Sequence, residues 1–557
     1  MRPNPWAFLP PAERACVLQR RRFHDYFVTH LPSSSLHPDS RSAAGPNGPN
    51  YHKLPRDQST PHKDSPNGRS PSAILPTAGA PGSGVSRDTT VVRIPLKSAK
   101  HHFGAGLSRG SRSYNEDKYQ AGTIELPAFA QKQPISLSRR QLAGLGSGSG
   151  QETESQGAQS ASGDPQVFYF GVFDGHGGEE CSNFLSERLH GYIEEAAQKF
   201  GMKSSLSKND SNDSSENPMQ KDPVELQRSL VEAWKETVGG YFKRFRPEYF
   251  TSLQKSGTSE RSTSSSGPET PSHPASFETV LTYAFLNADL DFTKAQAQKH
   301  SPSPTSDDPV LDDRPLNDND ILSHPSKPAS QNLKQNLNKP IGGKTRFKGG
   351  STASVALIST PTPTPFWHPA SPSTLVVAHV GDTRILLCKA SDGEPFPLTR
   401  DHHPSAPVEA TRLRRYAAAF VTDSFGEERV LGLANTRAFG DISSKRIGVS
   451  AEPEITTVQL AAGEYSFLVL MSDGISGTLS DQEVVDIVKE ARTPEQASRD
   501  VVSFATEVSE DADNATCLVV RLGGWERRGE GGLGSLGTKE MRNFKRREAE
   551  DPRSRRQ

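Results

Sequence analysis

The chain has 557 residues, only 32% of them hydrophobic, and its 46 glycines and 43 prolines are concentrated in a few stretches. Sixty-five basic residues against sixty-six acidic leave a net charge of -1, so no global field favours nucleic acid or an anionic surface as partner. No apolar run approaches the ~20 residues of a membrane span, and the four cysteines form no CxxC pair, which suits a reducing compartment.

In chain order, residues 1–30 carry five arginines against two acids with interspersed Phe, Leu and Val, the pattern of a mitochondrial targeting segment, with a cytoplasmic or nuclear protein as the alternative. Residues 31–90 read as a disordered linker. Residues 91–523 read as one catalytic domain interrupted by low-complexity inserts at 131–166, 203–222, 254–276 and 296–346, each too polar to bury a core. Residues 524–557 read as a basic disordered tail.

Within the domain, β-branched and aromatic runs predict strands at 167–173, 354–358, 374–380, 385–388, 465–471 and 516–522. Apolar residues at three- and four-residue spacing predict helices over 184–200, 226–245, 277–292, 481–490 and 494–508. Strands on both sides of a helical block fit an α+β fold in which sheets stack face to face under helices.

The chemistry-bearing residues stand at strand ends. Asp174-Gly175-His176-Gly177-Gly178 follows an apolar strand and precedes a helix, Glu116 and Asp117 close the run Arg112–Asp117, Asp382 follows Val380-Gly381, Asp473 follows FLVLMS, and Asp513 precedes the last strand. Clustered carboxylates repel unless cations lie between them, and an all-oxygen set selects Mg²⁺ or Mn²⁺. Gly342–Thr345 resembles the end of a P-loop but lacks its first glycine and reads as loop. His402-His403 reads as a pair of solvent-facing imidazoles and not a metal site, because neighbouring imidazoles in a loop point apart.

The ordered set RSYNED, FGVFDGHGG, KGGSTA, VAHVGDTR, LTRDHHP, NTRAFGD, LMSDGI and ADNAT resembles the metal-dependent serine/threonine protein phosphatases of the 2C (PPM) type, fungal mitochondrial members included. The resemblance implies two antiparallel sheets between helix layers and a binuclear Mg²⁺/Mn²⁺ centre that activates water to hydrolyse phosphoserine and phosphothreonine. It implies that Asp174 bridges two metals, that the Gly175 carbonyl serves one of them, that Asp473 and Asp513 complete the first and Glu116 the second, and that Asp117 orients water. Arg112 would bind phosphate, His176 would protonate the leaving oxygen, and Asp382 would serve a third metal. Gly477 stands where many members carry another acid of that third site. The expected partners are phosphoprotein substrates and the expected state is a monomer. The alternative is a silent fold of this type acting as an interaction module, against which the intact carboxylates argue.

Overall fold

The computed structural model describes residues 26–32, 89–95, 102–132, 165–206, 222–250, 276–299, 341–362, 364–414, 420–422, 428–430 and 433–551. The first 25 residues of the expected targeting segment, most of the expected linker and the bulk of each insert lie outside the described residues. The strands are β1 (Tyr26–Pro32), β2 (Thr89–Pro95), β3 (Phe103–Ser108), β4 (Lys118–Ile124), β5 (Val167–Phe173), β6 (Gly175–His176), β7 (Gly350–Ser351), β8 (Ala353–Ser359) and β9 (Ser373–Val380). They continue with β10 (Arg384–Lys389), β11 (Pro395–Pro397), β12 (Phe420–Thr422), β13 (Glu428–Val430), β14 (Phe439–Gly440), β15 (Glu454–Leu460), β16 (Tyr465–Met471) and β17 (Ala515–Arg521). The α-helices are α1 (Glu180–Lys199), α2 (Pro223–Thr237), α3 (Phe277–Ala297), α4 (Pro407–Arg414), α5 (Ile442–Lys445), α6 (Asp473–Ser476), α7 (Asp481–Glu490), α8 (Pro494–Val508) and α9 (Lys539–Glu550).

Two five-stranded antiparallel sheets dominate, in the orders β15-β9-β8-β5-β4 and β11-β10-β16-β17-β3. Side chains alternate between the faces of a strand, so the even positions of β5, Phe168, Phe170 and Val172, meet Ile385 and Leu387 of β10, Leu468 and Leu470 of β16, and Leu518 of β17 between the sheets. The odd positions, Val167, Tyr169 and Phe173, turn outward under α1, α2 and α3. On the other sheet Phe467, Val469 and Met471 turn outward under α7 and α8. A strand buried on both faces reads as a continuous apolar run, which is why six strands were visible in the sequence. Each fully buried side chain of this kind contributes about 1.5–3 kcal/mol before chain entropy is counted.

The helices have ordinary local causes. Ser480 and Glu483 form a reciprocal capping box on α7, Thr493 caps α8 ahead of Pro494, and Ser276 caps α3.

Register brings the site residues to one end. Lys118, which follows Asp117, pairs with Phe173, which precedes Asp174. Ala353 pairs with Val380, just ahead of Gly381-Asp382. Met471, two residues before Asp473, pairs with Cys517, two residues after Ala515.

Three expectations are corrected. Of the 524–557 segment, residues 524–551 are not a loose tail: α9 lies over α7 and α8, with Arg542 on Glu490 at 2.8 Å and Arg546 on Glu507 at 2.9 Å. Its polar composition hid it, because ionic contacts rather than an apolar stripe hold it. The 296–346 insert is shorter at both ends, since Gln296 is buried and donates to the Ile341 carbonyl at 3.0 Å, and Arg346 donates to the Ala297 carbonyl at 3.0 Å. Ordered structure also begins before residue 91, for β1 pairs antiparallel with β2.

Candidate active site

Oxygens of Asp174, Asp382 and Asp473 all lie within 4.8 Å of one another. Desolvation, reinforced by the charges of Asp473, Asp117 and Asp382, pushes the Asp174 carboxyl well above the ordinary carboxylate range. Desolvation and Asp473 raise Asp382 to about 7, and desolvation with Asp513 and Asp117 raises Asp473 to about 6. Such a group is electrostatically frustrated unless a cation or protons neutralise it.

Asp117 is buried, pushed up to about 6 by desolvation, and held through Oδ2 by the Ser472 hydroxyl at 2.8 Å. Its Oδ1 has no protein partner. A buried acceptor without a donor beside three converging carboxylates is what a site for a hydrated hard cation leaves in the protein alone. Gly175 adds a close backbone approach, because a Cβ there would fall 2.6 Å from the Glu116 carbonyl oxygen. The all-oxygen donor set and these two features fit divalent cations of the Mg²⁺ or Mn²⁺ kind.

Glu116 and Asp513 are close by but not in the three-acid group. Glu116 Oε1 accepts from the Gly178 N–H at 2.5 Å, at the approach to α1. Asp513 accepts from Arg112 Nη2 at 2.7 Å, so the expected phosphate-binding arginine is paired with an expected metal ligand. Both partners are solvent-accessible and the pair is weak.

Asn514 ties the two loops together. Its Oδ1 accepts the Glu116 N–H at 2.7 Å, and its Nδ2 donates to the Arg109 and Tyr114 carbonyls, both at 3.0 Å. Sequence reasoning noted this residue only as the neighbour of Asp513.

His176 Nε2 lies 2.9 Å from both carboxylate oxygens of Asp441. Burial alone would lower the imidazole, but Asp441, with Asp382 and Glu116 further off, outweighs it and holds the ring above its ordinary value. Asp441 was also missed, and its conformation is the signal: φ is 44°, in the left-handed region that non-glycine residues rarely adopt. A buried ion pair beside it fixes that turn. Asp289 Oδ1 accepts the Gly440 N–H at 2.9 Å, and Asp289 Oδ2 lies 2.5 Å from Lys445 Nζ, which also donates to the Ala438 carbonyl.

The expectation for His402 is corrected. His403 is the partly solvated imidazole, hydrogen-bonded to Ser405, whereas His402 is buried, stacks on His379 at 4.7 Å and accepts the Gly381 N–H through Nδ1 at 3.0 Å. Burial and nearby Arg437 push its pKa down to about 3, so it is a neutral support for the turn carrying Asp382. Gly350-Ser351 forms a short strand between β6 and β14, with Gly350 paired to His176. Gly342, in the P-loop-like run, offers its carbonyl to Lys299 and is loop, as expected.

The protein phosphatase 2C family model matches residues 288–513. Protein phosphatase 2C homolog 4 of Schizosaccharomyces pombe is 34% identical over 363 residues, covering 65% of this chain and 72% of that protein. A mitochondrial protein phosphatase 1K of Xenopus laevis is 38% identical over 177 residues, covering 32% of this chain and 44% of that protein. Among solved structures, a serine-threonine phosphatase 2C from Toxoplasma gondii aligns with a TM-score of 0.39 and 16% identity, over 75% of this chain and 94% of that one.

Proposed function

Because the chain belongs to the protein phosphatase 2C family, we propose that it hydrolyses phosphoserine and phosphothreonine in proteins at a binuclear Mg²⁺ or Mn²⁺ centre. The observation that carries this reading is the convergence of Asp174, Asp382 and Asp473 at one end of both sheets. Asp174, Asp473 and Asp513 would hold one ion, Asp174 and Glu116 the second, with the Gly175 carbonyl on one of the two, and Asp382 with Asp473 a weaker third. When bound, the ions supply charge neutralisation at the phosphate and a water of lowered pKa.

The chain's own groups do the rest. Arg112, released from Asp513, places a planar fork of donors on two phosphoryl oxygens and offsets their charge. Asp117, locked through Oδ2 by Ser472, keeps Oδ1 as an acceptor that turns a water towards phosphorus. Asp441 favours the protonated form of the His176 ring, so His176 can give a proton to the departing serine or threonine oxygen.

The five arginines in residues 1–30 and a relative named as mitochondrial support delivery to mitochondria. We read residues 91–523 as the core of the catalytic unit. A reporter fused to residues 1–60 should accumulate in mitochondria, and a diffuse reporter would overturn that address.

The test of the activity is Mn²⁺-dependent release of phosphate from p-nitrophenyl phosphate and a phosphothreonine peptide by the full chain. EDTA should abolish it. Asp174→Asn should abolish it too, with the melting temperature unchanged or raised, because one repelling charge is removed. Wild-type turnover by that variant in Mn²⁺ would refute the assignment.

A further inference from the structure

The helix beyond the last strand reaches back to the segment that carries Asp473. Lys545 Nζ donates to the Thr478 carbonyl at 3.1 Å and to Glu483 Oε2 at 2.8 Å. Thr478 belongs to the loop 477–480, which joins α6, whose first residue is Asp473, to α7, whose first turn carries Glu483. The same Glu483 oxygen accepts the Ser480 N–H at 2.9 Å within the capping box of α7. One ammonium group therefore ties the loop to the first turn of α7.

The segment needs such a fastening. α6 is a single turn, closed by the Gly477 N–H on the Asp473 carbonyl at 2.7 Å and by Leu479 N–H on Ile475 at 2.9 Å. A lone turn pays the full nucleation entropy for few bonds and is marginal by itself. Ile475 and Leu479 are buried beneath it, yet they anchor only the inner side. The Glu483 side chain is 3% exposed and that of Lys545 is 28% exposed, so this ion pair is shielded more than a surface pair and holds better than one.

The geometry points to Lys545 as a positioning residue for Asp473. By clamping the 477–480 loop it keeps the Asp473 turn against Asp174 and Asp382, and so sets how tightly the site takes a divalent cation. This rests on the reading of Asp473 as a metal ligand. The rest of α9 supplies a control, for Arg546 binds Glu507 at 2.9 Å and stacks over Phe504 at 5.0 Å without touching the loop.

The test uses the full chain carrying Lys545→Ala, Lys545→Arg or Arg546→Ala, with Mn²⁺ binding measured by titration calorimetry and the Mn²⁺ activation curve of phosphate-ester hydrolysis measured beside it. Lys545→Ala should weaken Mn²⁺ binding by about 10-fold, the lower end of what removal of a support behind a metal ligand costs. Its turnover at saturating Mn²⁺ should stay near wild type, Lys545→Arg should restore binding, and Arg546→Ala should lose thermal stability with Mn²⁺ affinity unchanged. Wild-type Mn²⁺ affinity in Lys545→Ala, or an equal loss in Arg546→Ala, overturns the proposal. Should Lys545→Ala fail to fold, Lys545→Gln, which keeps a donor for Thr478 and loses the charge, is read by the same criteria. Absence of calorimetric Mn²⁺ binding by the wild type would overturn the ligand assignment itself, a result distinct from the others.

Discussion

Asp289 and Lys445 form an ion pair with both side chains fully buried, 2.5 Å apart, and Asp289→Ala isolates its role. The variant leaves an ammonium group in the core with no carboxylate partner, facing the Ala438 carbonyl and the Trp234 ring, and frees the Gly440 N–H. Removing one partner of a buried pair typically costs about 3–5 kcal/mol. A folded unit of roughly 300 residues unfolds with about 0.6 kcal/mol/K of entropy at about 2.1 cal/mol/K per residue, so the melting temperature should fall by roughly 5–8 °C. Because Gly440 precedes Asp441, turnover should fall as well, since His176 loses the fixed orientation of its carboxylate. Differential scanning calorimetry with Mn²⁺ absent reads the first effect, and steady-state hydrolysis at saturating Mn²⁺ reads the second. The double variant Asp289→Leu/Lys445→Met, which removes both charges, should recover most of the stability but not the turnover. A loss below about 1 kcal/mol for Asp289→Ala, or full turnover in the double variant, would refute the reasoning.

Asn514→Ala should unfasten the Arg109–Glu116 loop and weaken Mn²⁺ binding by about 10–100-fold, read by calorimetry, while an unchanged affinity would remove Asn514 from the site. Burial alone would raise the Glu409 carboxyl, but Arg412 and Arg437 outweigh it and hold the group well below the carboxylate range. A depressed folded pKa gives stability that is complete above the unfolded value of about 4.3 and is lost as pH falls below it. Glu409→Gln should therefore be less stable than wild type at pH 7 by about 3 kcal/mol, and denaturant titrations should show the gap narrowing below about pH 4. Replacing residues 301–339 by a short Gly/Ser link should leave ester hydrolysis intact, because Lys299 already binds the Ile341 carbonyl at 2.5 Å and the ends are close. Extending the deletion to 296–346 should cost soluble protein, because it removes buried Gln296.

What could be read in the sequence follows from how each element is held. β5, β8, β9, β10, β16 and β17 are buried on both faces and announce themselves as apolar runs. β3 does not, because its glycines serve α8: a Cβ on Gly104 would fall 2.2 Å from the Glu495 Cα, and one on Gly106 would fall 2.6 Å from the Ser498 carbonyl oxygen. Close packing of helix on strand there demands residues that strand propensity penalises. β15 breaks the strand alternation with Thr456-Thr457 at a sheet edge, and α9 is polar with Met541 and Phe544 exposed, so neither carries the apolar run or core-facing stripe that marks the other elements. Among site residues, carboxylates at strand ends were visible because an acid beside an apolar run is unusual. Asp441 and Asn514 act through backbone shape and loop-to-loop bonds, which are visible only after distant segments meet.

Those distant segments give the molecule a timetable. Arg112 and Asp513 are 401 positions apart, and Glu116 and Asn514 are 398 apart, while β17 fills the gap between β16 and β3 in its sheet. At about 5–20 residues per second of synthesis, the arginine loop waits roughly 20–80 s on the ribosome before its partner is made. Until β17 emerges, β3 has no partner strand, and until residues 513 and 514 emerge the Arg109–Glu116 loop has neither Asp513 nor Asn514 to bind. Completion of the site thus waits until Asp513, Asn514 and β17 have been made, so a chain cut short ahead of them cannot assemble it.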